Sequence, residues 1–199
     1  FGLQVLYCDT DSLFLLYGKL ENEKKVHEFQ HKINSELPEG MELELEDIYP
    51  RGIFVSKKQE EKGAKKKYAL INKEGKIKIR GFELVRRDWS KVAKDIQRKV
   101  LEIILKEGDV KKATGEVRKV IEELKSGTVP LEELSIFTQL KKAVGSYDIM
   151  SPEVSAVQKA KKAGFALEDN PVISYVITKQ GKTISEKAQI IELAKDYDP

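Results

Sequence analysis

The chain begins with two apolar runs on either side of a short polar turn. Leu3, Val5 and Tyr7 alternate with their neighbours, and residues 13–17 form a continuous apolar run. Two runs of this type around a short polar turn predict a β-hairpin. Because the second run is apolar on both faces, we expect its strand to be buried.

Helical and strand patterns then alternate up to about residue 86. Apolar residues recur on one helical face over residues 22–36, and Pro38 ends that helix. Strict alternation over residues 41–47 predicts a half-buried strand. Further strands are predicted at residues 53–56, 68–71 and 76–79, the last two joined by a hairpin turn at 72–75.

After residue 87 the pattern becomes mainly helical. Val92, Ile96, Val100 and Ile103 recur at helical spacing, which predicts a first helix that stops at Gly108. The other signals are a helix capped by Asp109 and ended by Gly127, a helix from Ser151-Pro152 to Gly164, and a strand at 172–178. The inward residues of the Asp109 helix are Val110, Ala113, Val117, Val120, Ile121 and Leu124. We therefore predict an α+β fold with a boundary between residues 86 and 87.

Composition limits the class of protein. The 199 residues are 40% hydrophobic, which is enough for a buried core, and a net charge of +3 does not exclude nucleic acid as a partner. Cys8 is the single cysteine, which excludes an intrachain disulfide and a Cys-rich zinc site. No apolar run approaches the roughly 20 residues of a membrane span, and no secretory signal is visible, so we expect a cytoplasmic location and no membrane partner. The first residue is not Met, which predicts that the chain begins inside a longer protein or at a trimmed edge.

Asp9 and Asp11 are the candidate chemical centre. Two carboxylates at a hairpin tip repel each other unless cations neutralise them, and Mg²⁺ favours one or two carboxylates together with substrate phosphates. An Asp-x-Asp pair taken alone is more often a polar turn, and it also occurs in metal-dependent glycosyltransferases. The residues around the pair favour the metal-binding interpretation.

The segment Tyr7-Cys8-Asp9-Thr10-Asp11-Ser12 resembles the Y-G-D-T-D-S signature of family B DNA polymerases, with Cys8 where the family usually has a small residue, often Gly. The resemblance implies that Asp11 is a direct metal ligand and that Asp9 lies near the metals and the primer end, so both are catalytic and metal-site candidates. The implied cofactor is Mg²⁺ in a two-metal site. The family's other essential metal-binding Asp comes from an earlier motif, which would precede Phe1.

A second segment, Lys65-Lys66-Lys67-Tyr68, resembles the family's K-K-x-Y motif. The resemblance implies that Lys65 and Lys66 lie near the primer terminus and that Tyr68 contacts the DNA backbone. A solvated lysine run is the alternative. Lys57-Lys58 is a rival for part of the contact, because residues 59–64 look inserted relative to the family.

A third segment, from Arg80 to Ser90, resembles the family's passage from palm to thumb in archaeal enzymes. Arg80, Arg86 and Arg87 are candidates for phosphate or palm contacts. Alternatively, Glu83 and Asp88 pair with these arginines and fix the hinge.

Three further candidates remain. Trp89 is interpreted as a core anchor. The run Lys159, Lys161 and Lys162 is expected to face duplex phosphates or solvent, and His27 and His31 are expected to form a solvent-facing pair rather than a metal site.

The resemblance extends along essentially the whole chain. It implies a C-terminal part of palm at residues 1–86, an antiparallel sheet with a helix, followed by a mainly helical thumb at residues 87–199. The implied reaction is nucleotidyl transfer from a dNTP to a primer 3′ end on primer-template DNA. The implied partner is a larger polypeptide carrying exonuclease, fingers and the remaining palm, as in polymerases split into two polypeptides; a sliding clamp is a further candidate. The alternatives are a non-catalytic DNA-binding or assembly subunit, and a different two-metal enzyme such as a nuclease.

Overall fold

The computed structural model describes residues 3–16, 18, 23–56 and 63–199. The chain divides into two compact units, Phe1–Arg80 and Gly81–Pro199. This division lies a few residues before the predicted boundary at residue 86, and the identity of the two parts as palm and thumb stays a prediction. Helices and antiparallel sheets occur together, which agrees with the predicted α+β class.

The first unit contains a hairpin, a helix and a three-stranded sheet. Strands β1 (Gln4–Asp9) and β2 (Ser12–Leu16) form the hairpin, and helix α1 (Glu23–Glu36) follows. The sheet has the antiparallel order β3 (Arg51–Ser56), β4 (Gly63–Ile71), β5 (Ile77–Arg80). The turn predicted at 72–75 is confirmed: the Gly75 amide donates to the Asn72 carbonyl at 3.0 Å, and Gly75 has φ +82°.

The predicted strand at 41–47 is wrong, because no strand forms there. The alternation of exposure is present, with Leu43 and Leu45 half-buried. However, side-chain amides of α1 bond the Leu43 backbone: Gln30 and Asn34 both donate to its carbonyl at 3.0 Å, and its amide donates to Asn34 Oδ1 at 2.8 Å. These bonds satisfy the backbone groups that a neighbouring strand would otherwise satisfy.

The expected burial of β2 is also wrong. Leu13 and Leu16 are exposed, and Phe14 and Leu15 are only half-buried. Within the described part of the first unit, β2 pairs with β1 alone in a two-stranded sheet. A lone hairpin covers little of its own surface, so an apolar run does not by itself produce a buried strand.

After a short 3-10 turn at Glu83–Val85, the second unit continues with a helical hairpin of α2 (Lys91–Glu107) and α3 (Val110–Ser126). The predicted caps are confirmed: the Lys112 amide donates to the Asp109 side chain, and Gly108 and Gly127 have φ +73° and +75°. Ala113 is buried as predicted, but Val110 and Ile121 are exposed. In the described residues, α2 is the principal neighbour of α3, so only part of the apolar stripe of α3 is covered.

The remainder of the second unit packs a helix on a small sheet. Its elements are α4 (Leu131–Leu134), β6 (Ile136–Gln139), α5 (Pro152–Lys162), β7 (Val172–Ile177), α6 (Ile184–Lys187) and β8 (Ala188–Ile190). The sheet has the antiparallel order β6-β7-β8. Its core is formed by Leu140, Val154, Ala156, Val157, Ala160, Ile173, Tyr175, Ala188 and Ile190. None of the helices in the described ranges is long and apolar enough to cross a membrane.

Candidate active site

The carboxylate turn is the tight loop between β1 and β2. Asp9 pairs with Ser12 across the hairpin, so Thr10 and Asp11 form a two-residue turn, and Thr10 has φ +24°. Two-residue hairpin loops favour positive φ because of the twist of the flanking strands. Thr10 Oγ1 donates to Asp9 Oδ1 at 3.2 Å, and Ser12 Oγ donates to the Asp9 carbonyl at 3.3 Å. These bonds orient Asp9, while Asp11 is exposed at the tip.

Lys66 of β4 lies against this turn. Its ammonium Nζ is 3.5 Å from Asp9 Oδ2, and its backbone amide donates to the Tyr7 hydroxyl at 2.6 Å. The Asp9 side chain is 22% exposed, whereas that of Lys66 is 69% exposed. The structure therefore brings together two motif segments that lie far apart in the sequence.

Four aromatic rings hold the hairpin on the sheet of the first unit. Tyr7 and Phe14 come from the hairpin, and Phe54 and Tyr68 come from β3 and β4. All six ring pairs contact one another, with centroids 5.0 to 6.0 Å apart. Such pairs contribute about 0.5–1.5 kcal/mol each beyond the area they bury. This aromatic cluster fixes the carboxylate turn relative to β4, and Tyr68 is a buried member of it.

The turn offers oxygen ligands of the kind that Mg²⁺ prefers. Asp11 presents an exposed carboxylate, and Asp9 presents a second one that Lys66 partly neutralises. In the parts of the chain that the structure describes, no group of three or more His, Cys, Asp or Glu side chains converges. Two carboxylates fit a shared magnesium site in which other ligands come from elsewhere.

The three arginines lie close in sequence to the boundary between the two units, Arg80 in the first and Arg86 and Arg87 in the second. Arg80 is exposed at the end of β5, and Arg87 is also exposed. Arg86 pairs with Asp88 through two bonds, Nε to Oδ1 at 2.9 Å and Nη2 to Oδ2 at 2.5 Å. The hydrogen bond from Arg86 lowers the pKa of Asp88. The predicted Arg86–Asp88 pairing is thus present, and the phosphate contacts of all three arginines stay predictions.

Two interpretations of the second unit need correction. Trp89 is 42% exposed within its unit, so it is not a core anchor there. Lys159 is half-buried rather than solvent-facing: its ammonium donates to the carbonyls of Glu186 and Ala188, the latter at 2.9 Å, and burial lowers its pKa. The other two lysines of that run, Lys161 and Lys162, are exposed.

The remaining candidates divide into exposed residues and residues whose surroundings are not described. His27 and His31 are exposed on α1, as predicted. Lys65 lies on β4. Lys57, Lys58 and most of the apparent insertion at 59–64 lie outside the described residues.

Sequence reasoning missed the contribution of the Tyr7 hydroxyl. The strand alternation and the motif both include Tyr7, but neither predicts that its hydroxyl bonds the backbone of a residue 59 positions away. No local pattern identifies such a partner. A family profile would identify Tyr7 as part of the motif but would not identify what its hydroxyl contacts.

Comparison with known proteins gives consistent results. The sequence profile of DNA polymerase family B matches residues 1–198. A DNA polymerase of Methanocaldococcus jannaschii is 41% identical over 196 residues, which cover 96% of this chain and 12% of that protein. A DNA polymerase of Pyrococcus glycovorans is 41% identical over 202 residues, which cover 100% of this chain and 25% of that protein.

A solved structure is similar as well. The family B DNA polymerase from the hyperthermophilic archaeon Pyrobaculum calidifontis superimposes with a TM-score of 0.70 at 30% sequence identity. The match covers 98% of this chain and 24% of that one. The chain therefore spans a quarter or less of the length of these relatives.

Proposed function

The chain belongs to DNA polymerase family B, and we propose that it forms the C-terminal part of such a polymerase, with part of the palm at 1–86 and the thumb at 87–199. In this role it supplies a catalytic carboxylate and part of the grip on primer-template DNA. The reaction is transfer of a nucleotide from a dNTP to a primer 3′ end.

The observation that carries the proposal is the contact between the carboxylate turn and β4. A polar turn with no chemical role needs no lysine from a distant strand beside its carboxylate, but Lys66 Nζ lies 3.5 Å from Asp9 Oδ2. A cation and two carboxylates at one surface suit a reaction in which metal ions and phosphates meet.

Each residue of the site has a distinct role in this proposal. Asp11 offers its exposed carboxylate to magnesium, and Asp9 assists from beside Lys66. Asp11, with Asp9 beside it, would hold magnesium in a two-metal site, and this metal would supply activation of the primer 3′ hydroxyl and stabilisation of the leaving pyrophosphate. Lys65, Lys66 and Tyr68 hold the primer-template near the turn, with Arg80, Arg86 and Arg87 at its backbone.

The proposed active site is incomplete in this chain and needs residues from a second polypeptide. The family's other metal-binding Asp, the fingers and the remaining palm would come from a larger polymerase polypeptide, and a sliding clamp is a further proposed partner. Exposed apolar side chains on the hairpin, among them Val5, Leu6 and Leu16, support a covering partner, because large exposed apolar surface favours association.

The test is primer extension by this chain assembled with the complementary polymerase polypeptide. Asp11→Ala removes a ligand of a metal worth several kcal/mol of transition-state stabilisation, so kcat should fall by about 100-fold or more. Asp148→Ala, which removes an exposed carboxylate in the second unit, serves as the matched control and should leave kcat unchanged. The chain alone should extend no primer.

Undiminished extension by Asp11→Ala would remove the catalytic assignment. With DNA binding retained, that result would favour the alternative of a non-catalytic assembly subunit. Templated synthesis by the purified chain alone would instead contradict the proposal that the site is incomplete.

A further inference from the structure

We infer that the Tyr7 hydroxyl is a positioning group that holds the Lys66 backbone in a left-handed conformation, and thereby places the Lys66 ammonium at Asp9. The consequence for DNA binding rests on the proposed function. The positioning itself stands on contacts within the first unit.

The backbone of Lys66 is unusual for its place in the chain. Its φ of +58° lies in the left-handed region, which residues with a Cβ rarely adopt. Among the non-glycine residues that the structure describes, Thr10 and Lys66 are the two with positive φ. Thr10 lies in a tight turn, which explains its conformation, whereas Lys66 lies in the interior of β4. Such a conformation persists only where the surroundings determine it.

The strand pairing is interrupted around Lys66, so its backbone amide can donate to an acceptor outside the sheet. Phe54 pairs with Tyr68 and Ser56 pairs with Gly63, so residues 64–67 of β4 lie opposite Val55 alone. Pairing of β4 with β5 begins only at Tyr68. Extra residues in one strand interrupt the ladder of backbone hydrogen bonds. In this interrupted stretch, the Lys66 amide donates to the Tyr7 hydroxyl at 2.6 Å.

Tyr7 is well placed to fix the lysine. Its ring contacts Phe14, Phe54 and Tyr68 with centroids 5.8 to 6.0 Å away, so the hydroxyl projects from an anchored ring. Tyr7 also lies two residues before Asp9 on β1. One side chain therefore connects the carboxylate turn and the lysine strand. The Lys66 ammonium reaches Asp9 Oδ2 at 3.5 Å, and its side chain stays 69% exposed.

The experiment compares Tyr7→Phe with the unaltered chain. This change removes the hydroxyl and keeps the ring, so hydrogen exchange of the Lys66 amide, measured by NMR, should accelerate about 2- to 10-fold, the loss expected for one hydrogen bond. Exchange of the Leu70 amide, further along the same strand, should stay unchanged, whereas a general loosening would accelerate both. Tyr49→Phe, which removes another half-buried hydroxyl of this unit, is the matched control.

Binding to a primer-template duplex tests the consequence. Tyr7→Phe should weaken the affinity by about 2- to 10-fold, and in a Lys66→Ala background it should have no further effect, because it acts through the Lys66 side chain. Unchanged Lys66 exchange in Tyr7→Phe would overturn the inference, as would additive effects of the two substitutions on DNA affinity. Failure of the unaltered chain to bind the duplex would count against the proposed function, and the exchange measurement would then decide the inference.

Discussion

Gln97 shows how a single polar side chain fixes the start of the second unit. It lies on α2 and bonds the short 3-10 turn Glu83–Val85: its Oε1 accepts from the Leu84 amide at 2.8 Å, and its Nε2 donates to Glu83 Oε2 at 2.7 Å. Leu84 is buried, so its amide has poor access to water. One amide group thereby orients the segment that precedes Arg86.

Replacing Gln97 by Ala should destabilise the second unit by about 1–3 kcal/mol, the cost of leaving a buried backbone donor unsatisfied. Urea unfolding followed by circular dichroism measures this change. Arg98→Ala on the exposed side of the same helix is the control and should stay within about 0.5 kcal/mol. Equal effects of the two substitutions would show that the Gln97 bonds contribute no specific stability.

At the scale of elements, replacing glycine by alanine at two positions of α3 should change stability in opposite directions. Gly115 lies inside the helix with no atom within 4 Å of an added Cβ, and Gly127 ends the helix at φ +75°. Gly115→Ala should stabilise the chain by about 0.5–1 kcal/mol by restricting the unfolded state. Gly127→Ala, also in open space, should destabilise it by about 1–2 kcal/mol because the backbone is left-handed. Thermal unfolding of both variants should give shifts of opposite sign, and shifts of the same sign would contradict the backbone argument.

The contact between α2 and α3 carries a pH dependence. Glu116 on α3 accepts from Lys119 at 2.8 Å and from Lys99 on α2 at 2.5 Å, and these hydrogen bonds lower its pKa from 4.5 to about 2. Because the folded-state pKa is the lower one, the stabilisation is present above pH 4.5 and is lost as the pH falls towards 2.

Glu116→Gln should therefore flatten the loss of stability between pH 4.5 and 2, and added salt should weaken the effect in the unaltered chain. Chemical unfolding at a series of pH values measures it. Glu122→Gln, on the exposed surface of the same helix, is the control. If the unfolding free energy of Glu116→Gln fell with decreasing pH as steeply as that of the unaltered chain, the ion pairs of Glu116 would not be the cause of the pH dependence.

The elements also indicate why sequence prediction succeeded and where it failed. The caps of α2 and α3 depend on neighbouring residues, so Gly108, Asp109 and Gly127 were sufficient to predict them. The alternation at 41–47 correctly predicted that Leu43 and Leu45 are half-buried, although Met41 is exposed, and it could not reveal that Asn34 would bond the Leu43 backbone in place of a strand. The turn at Asp9 and Asp11 was predictable from its motif, whereas the contacts of Lys66 with Tyr7 and Asp9 depend on tertiary packing.

At the scale of the whole molecule, the two units differ in how much core they contain. Among the described residues, the buried apolar side chains of the first unit are Tyr68, Ala69, Leu70 and Ile71, all on β4. The second unit buries seventeen. Because buried apolar area is the main favourable term in folding, the first unit should be the less stable one.

Calorimetry of the whole chain should therefore give two transitions, since two units with separate cores need not unfold together. The fragment 81–199 should reproduce the upper transition alone. If the whole chain showed a single transition and the fragment 81–199 showed none, the two units would fold as one. A complementary polypeptide that covers the hairpin should raise the lower transition by mass action.

The exposed thiol of Cys8 allows a distance between the two units to be measured by fluorescence energy transfer. Cys8 is the single cysteine and lies next to Asp9, while Trp89 is the single tryptophan and lies in the other unit. A dye on that thiol and the indole of Trp89 make a donor–acceptor pair with one member in each unit and no engineered residue. Energy transfer between them would report the distance between the two units, with and without added DNA.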